Sequence, residues 1–332
     1  MALVTKVLVV DDSLTMRALI SGALEKIPGV KIVGLADGAA EARKLVAEHN
    51  PDVITLDVEM PGTSGIQYLA EVMETRPIPV IMFSTRTEAG ASETIEALRL
   101  GAIDCFPKPK VASSAELNKI IEKLGKRIKS AKSVEVRKAA PAAAAVPAIE
   151  WNGRLAAIGA DAANTKALFE LFAGFPANCP PTLVVQHLGP GLVASMVAKL
   201  AGQSAARVVV AEDGMAVEQG TIYFAPQGDA HMIVDAWPDG HIRLLRRDPV
   251  SGERPSISVL FASLAKAAGV AGLGALIAPE DDDGAAGLSA LAAAGGATLA
   301  REKDGFRLTR RQSSQLVPAP FLGQAMLKLS AR

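Results

Sequence analysis

Residues 6–13 read KVLVVDDS. Val7, Leu8, Val9 and Val10 form an apolar run with no polar alternation, the pattern of a strand buried on both faces of a parallel sheet. The run stops on two acids, Asp11 and Asp12. Ser13 then supplies a hydroxyl suited to capping a helix that extends to about Lys26. The unit recurs along the next hundred residues. Val30–Leu35 predicts a strand and Ala39–His49 a helix. Val53–Leu56, Pro79–Phe83 and Ile103–Phe106 predict three more strands. Continuous apolar strands separated by helical segments predict an α/β domain, doubly wound about a parallel sheet.

In such a sheet, functional groups collect beyond the carboxyl ends of the strands. That rule gathers Asp11 and Asp12 after the first strand, Asp57 at the end of the third, Ser84 after the fourth and Lys108 after the fifth. Three converging carboxylates repel one another unless a cation sits among them, and a hard divalent ion such as Mg²⁺ suits oxygen ligands. Lys108 adds a second positive charge suited to a phosphoryl oxygen, and Ser84 a hydroxyl donor. The set is machinery for placing a phosphoryl group on a carboxylate.

With these motifs in order, residues 6–110 resemble the receiver domain of bacterial response regulators. The resemblance implies a flavodoxin-like fold with strand order 2-1-3-4-5. It implies Asp57 as phosphoacceptor and a histidine kinase as phosphodonor. It also implies Mg²⁺ held by Asp12, Asp57 and the backbone carbonyl of Glu59, with Asp11 assisting and Lys108-Pro109 forming a Lys-Pro turn. One position departs from the pattern. The aromatic switch residue of many receivers falls here on Cys105, and the adjacent Phe106 should point to the opposite face of its strand.

Past the fifth strand the composition changes. Residues 115–131 predict a basic helix, and residues 138–148 read KAAPAAAAVPA, an Ala/Pro tract that cannot build a core. The expected division is a receiver at 1–128, a linker at 129–150 and an output domain at 151–332. The output domain alternates again. Strands are expected at Leu155–Gly159, Leu183–Gln186, Val208–Ala211, Ile222–Ala225, Met232–Asp235, Ile242–Leu245 and Leu273–Ala278. Helices are expected at Thr165–Phe172, Leu192–Leu200, Ser258–Ala268 and Ala285–Ala294. Asp239-Gly240 marks an antiparallel hairpin.

The segments IGAD at 158–161, QH at 186–187, APQGDAHM at 225–232, RPS at 254–256 and DDG at 282–284 are similar to the catalytic domain of the chemotaxis receptor methylesterases. With the receiver, the resemblance covers nearly the whole chain. It implies a second α/β domain acting on chemoreceptors, where a serine attacks a glutamyl ester or glutamine, a histidine moves the proton and an aspartate orients the histidine. The histidine matches His187 and the aspartate Asp283. The serine position is occupied by Asp161. A carboxylate is a weak nucleophile toward an ester, and Pro279, Glu280 and Asp281 replace a glycine-rich run with a missing N–H and negative charge where an oxyanion would need donors. In related triads, loss of the nucleophile costs about a million-fold. The expectation is a degenerate output domain that works by binding, with an active methylesterase/glutaminase as the alternative. Metal binding by Asp161, His187 and Asp283 is a further open reading. His231 is expected to support the site rather than act directly.

Composition narrows the partners. Lys+Arg and Asp+Glu are 35 each and aromatics are 4%, which argues against nucleic-acid binding. The neutrality is a cancellation. Residues 1–110 carry 11 basic and 15 acidic side chains, residues 111–150 carry 8 and 4, and residues 151–332 carry 16 and 16. The two cysteines, Cys105 and Cys179, lack metal or disulfide spacing. No apolar run is long enough for a signal peptide or membrane insertion, so a cytoplasmic location is expected.

Overall fold

The computed structural model describes residues 4–84, 88–108, 124–129, 131, 148–189, 191–277, 283–301, 315–318 and 321–332. The chain divides into two units, residues 1–139 and 140–332.

In the first unit the elements run β1 (Thr5–Val10), α1 (Leu14–Leu24), β2 (Val30–Ala36), α2 (Ala39–His49), β3 (Val53–Asp57), α3 (Gly65–Thr75), β4 (Val80–Ser84), α4 (Glu88–Leu100) and β5 (Asp104–Pro107). The sheet order is β2-β1-β3-β4-β5, with every pairing parallel. This is the 2-1-3-4-5 order expected from the sequence. Val7, Val9, Val53, Ile81 and Phe83 pack with Ile20 and Leu24 of α1 into one buried cluster. Full burial of each such aliphatic side chain is worth roughly 1.5–3 kcal/mol. Ser13 accepts from Met16 N at 3.3 Å and so caps α1 as anticipated.

Residues 124–129 are helical. Leu124 and Ile128 are buried in the same cluster as β1 and α1, and Arg127 Nε donates to Asp104 Oδ2 at 2.5 Å. This part of the basic helix therefore packs into the receiver core instead of standing as a spacer. Residues 132–147, which contain most of the Ala/Pro tract, lie outside the described residues, as does Pro109.

In the second unit, β6 (Leu155–Asp161) leads through a 3₁₀ turn (Ala162–Asn164) into α5 (Thr165–Ala173). There follow β7 (Thr182–His187), α6 (Leu192–Ala201), β8 (Arg207–Val210), β9 (Thr221–Phe224), β10 (His231–Val234), β11 (Ile242–Leu245), α7 (Ile257–Ala268), β12 (Gly272–Ile277), α8 (Ala285–Ala293), β13 (Ala297–Arg301), β14 (Gln315–Val317) and α9 (Leu322–Ser330). The main sheet is β14-β13-β12-β6-β7-β9-β8, all parallel. β10 and β11 form the expected antiparallel hairpin, turning through Asp239 at φ 61°. The sequence reading had no counterpart for β13, β14 or α9. β13 is short and alanine-rich and β14 has three residues, too little for a periodic signal.

Candidate functional site

The first site is built where β1, β3 and β5 end. Asp11 and Asp57 are buried and Asp12 is exposed. One carboxylate oxygen from each of Asp11, Asp12 and Asp57 lies within 4.8 Å of the others. Lys108 Nζ donates to Asp57 Oδ2 at 2.7 Å and stands 3.9 Å from Asp11 Oδ2. Asp57 Oδ1 accepts from Glu59 N at 3.1 Å, and Asp11 Oδ1 from Ser13 N at 2.9 Å. Gly65 lets α3 start against Asp57, because a Cβ there would fall 1.8 Å from the Asp57 carbonyl oxygen. Ser84 ends β4, but its side chain lies outside the described residues.

Electrostatics explain why such a site calls for a cation. Burial lifts the Asp57 carboxyl to about 6, the nearby Asp11 charge adds to the lift, and the Lys108 hydrogen bond offsets only part of it. Burial likewise raises Asp11. Asp11 Oδ2 is buried without a hydrogen-bond partner. Converging hard oxygen donors and an unsatisfied buried carboxylate oxygen fit a Mg²⁺ ion, which binds through a few carboxylates and keeps several waters. When bound, it would supply charge neutralisation for an incoming phosphoryl group.

Cys105 sits on β5 with its thiol pointing to the Thr94 carbonyl at 3.8 Å. Burial pushes that thiol well above its ordinary range. Phe106 is buried, with its ring centroid 6.3 Å from that of Phe83. The strand alternation anticipated for these two residues is therefore seen.

The second site lies at the ends of β6 and β7, where Asp161 and His187 are register partners. His187 Nε2 stands 3.3 Å from Asp283 Oδ2. Asp283 is fully buried. It accepts from Ser256 Oγ at 2.8 Å, Ile257 N at 2.7 Å and Ser258 N at 3.0 Å, at the start of α7. Burial works to raise its pKa. The bonds from His187, Ser258, Ser256 and Ile257 together outweigh it and hold the group at about 2. Asp283 is thus an ionised anchor for the imidazole. Gly284 follows it at φ 102°, a conformation that favours glycine.

Asp161 is buried, and its Oδ1 accepts from Asn164 N at 3.2 Å and Asn164 Nδ2 at 2.6 Å. The carboxylate caps the 3₁₀ turn that begins just after it. Among the described residues, the acidic group gathered closely enough to hold a metal is Asp11, Asp12 and Asp57, not the trio of Asp161, His187 and Asp283. Ala278, Pro279, Glu280, Asp281 and Asp282 lie outside the described residues.

Buried His231 accepts from Ser256 N at its Nδ1, 3.0 Å, and its Nε2 is 3.0 Å from the Asp248 carbonyl. The Asp248 carbonyl can only accept, so Nε2 carries the proton. His231 holds the backbone that presents Ser256 to Asp283, which is a supporting position. The sequence reading missed Asn164, Ser256 and Ser258 as partners of the two aspartates. For Ser256, the helix-cap position before an apolar run was the available signal.

The two folds and their sites define a class: a receiver-type acidic pocket on one α/β unit and a His–Asp pair at strand ends on another. The family model described as response regulator receiver domain matches residues 7–145, and that described as CheB methylesterase matches residues 156–307. A protein-glutamate methylesterase/protein-glutamine glutaminase of Caulobacter vibrioides is 41% identical over 90% of this chain and 88% of its own length. One from Rhizobium etli is 38% identical over 98% and 96%. The second unit shares its fold with the Thermotoga maritima CheB methylesterase catalytic domain, at a TM-score of 0.50 and 24% identity over 54% of this chain and 99% of that one. The chain belongs to the chemotaxis response-regulator methylesterase family. No helix among the described residues is long and apolar enough to cross a membrane.

Proposed function

We propose that this chain is a phosphorylation-controlled member of its family whose output domain binds chemoreceptors, or another signalling protein, without hydrolysing them. In this reading a histidine kinase phosphorylates Asp57. Mg²⁺ is held by Asp12, Asp57 and the Glu59 carbonyl, with Asp11 assisting, while Lys108 and Ser84 meet the phosphoryl group. The receiver spans residues 1–128, the linker 129–150 and the output domain 151–332. Phosphorylation shifts the balance between two states of the protein and so changes access to the output surface.

One observation carries the reading. The residue opposite His187 at the strand ends is a carboxylate, and its Oδ1 is engaged by two donors from Asn164. A serine hydroxyl can give its proton to an adjacent imidazole and attack a carbonyl. A carboxyl group has no alkoxide-forming hydroxyl and is a weak nucleophile toward an ester. His187 and Asp283 keep the rest of the arrangement, which suits a retained cleft shape. The second reading, an active methylesterase/glutaminase, is favoured by the activity named for the relatives.

Binding of a purified methylated chemoreceptor fragment, followed by fluorescence anisotropy, tests the proposal. We expect the affinity to change when a small phosphodonor is added, and no such change in Asp57→Asn. Methanol release from the bound fragment, or an unaltered phosphodonor response in Asp57→Asn, would overturn it; failure to bind the fragment in either state would exclude the chemoreceptor as the partner.

A further inference from the structure

The guanidinium of Arg17 is engaged in a way that the chemistry assigned above does not use. Its Nη1 donates to the carbonyl oxygen of Asp11 at 2.6 Å and to that of Asp12 at 3.1 Å. Arg17 lies in the first turn of α1, where the helix macrodipole disfavours a cation. A cation held at that end needs a compensating contact, and the two consecutive carbonyls provide it.

These carbonyls belong to the two acids of the pocket. Asp11 is fixed at its side chain as well, through Ser13 N. Asp12 is exposed, so side-chain packing does little to aim it. Its carboxylate is directed by the backbone on either side, and that is the backbone Arg17 clamps. We propose that Arg17 is a positioning residue for divalent-cation binding, acting through the Asp11 and Asp12 carbonyls to hold the Asp12 carboxylate toward Asp57. This deepens the receiver reading above and rests on it.

Two effects of Arg17 oppose each other, and their signs separate them. As a nearby positive charge it repels a cation, so neutralising it would tighten Mg²⁺ binding. As a clamp it organises the ligands, so removing it weakens binding. Residues that orient metal ligands from behind typically contribute 10–100-fold in affinity, whereas a partly exposed charge is screened by solvent and salt. The clamp should therefore win.

The test is a titration of the full chain with Mg²⁺ alone, read from NMR shifts of receiver amides, in the unaltered protein and in Arg17→Met, Arg17→Gln and Arg17→Lys. We expect Arg17→Met and Arg17→Gln to bind Mg²⁺ about 10-fold or more weakly. Arg17→Lys keeps the charge but ends one bond short of the Nη1 that reaches both carbonyls, so it should fall between them and the unaltered chain. Unchanged or tighter binding in the neutral variants overturns the proposal, as does Arg17→Lys binding like the unaltered chain. If a neutral variant fails to fold, by its amide spectrum, Arg17→Lys decides alone. Normal binding by the unaltered chain with unaffected variants removes only the role of Arg17. Absence of Mg²⁺ binding by the unaltered chain removes the receiver reading along with it.

Discussion

Replacing Asp57 by asparagine should stabilise the metal-free receiver near neutral pH. The folded protein binds a proton at Asp57 more tightly than the unfolded chain does, because the group rises from 3.8 to about 6. The sign follows from linkage. Stability falls as pH climbs from about 4 to about 6, and the full penalty stands above that window. A rise of about two units corresponds to roughly 3 kcal/mol. Asparagine keeps the shape, and its carbonyl can still accept from Lys108 Nζ, but the ion pair is lost. Lys108 retains Asp11 at 3.9 Å, so part of its compensation survives. The net gain at pH 7 should be on the order of 1–3 kcal/mol.

Native-state hydrogen exchange on peptides from β1 and β3 reports this unit separately from the other. With a chelator present, the Asp57→Asn peptides should be more protected at pH 7, and the difference should shrink toward pH 4. Saturating Mg²⁺ should reverse the order, since a cation that binds the folded unaltered protein stabilises it by mass action. Equal protection at pH 7, or a difference that persists at pH 4, would refute the argument that burial and the neighbouring carboxylate set the behaviour of Asp57.

Asp283→Asn should destabilise the output unit by about 3–5 kcal/mol at pH 7, because it breaks a buried hydrogen-bonded charge network; the check is exchange on α7 and β12 peptides. Since Asp283 is held at about 2 in the folded state, its contribution is present above about pH 4 and is lost as pH falls toward 2, so the effect of the substitution should fade in acid. Asp161→Ser should keep the 3₁₀ turn, as a serine can cap it too, and should raise methanol release from methylated receptor only slightly. Recovery of activity typical of a triad hydrolase in that variant would show that residues 278–281 do not impair the cleft. In the unaltered chain, Mg²⁺-dependent acyl-phosphate labelling from a small phosphodonor should be lost in Asp57→Asn.

Much of this was legible because strand ends write their chemistry beside their hydrophobic runs. Val7–Val10 followed by Asp11 and Asp12, and Val53–Leu56 followed by Asp57, fix both a buried strand and the group at its carboxyl end. The β6–β7 pairing that sets Asp161 opposite His187 was not readable from spacing, because it joins segments 26 residues apart through sheet register. Asp283 sits against the start of α7 for the same reason. Its donors come from Ser256, Ile257 and Ser258, and a capping serine looks alike in sequence whether it faces solvent or a buried carboxylate. Arg17 was silent too, since a guanidinium bonded to backbone carbonyls leaves no pattern in side-chain types. The basic helix was read by its charges, whereas Leu124 and Ile128 decide its place in the core.

The central claim is that a carboxylate at residue 161 leaves the output domain able to bind but not to hydrolyse. Methanol release from purified methylated chemoreceptor, measured with the unaltered full chain with and without a small phosphodonor, tests it most directly. No release above background is expected in either condition. Robust release, above all release stimulated by the phosphodonor, would contradict it and establish an active methylesterase.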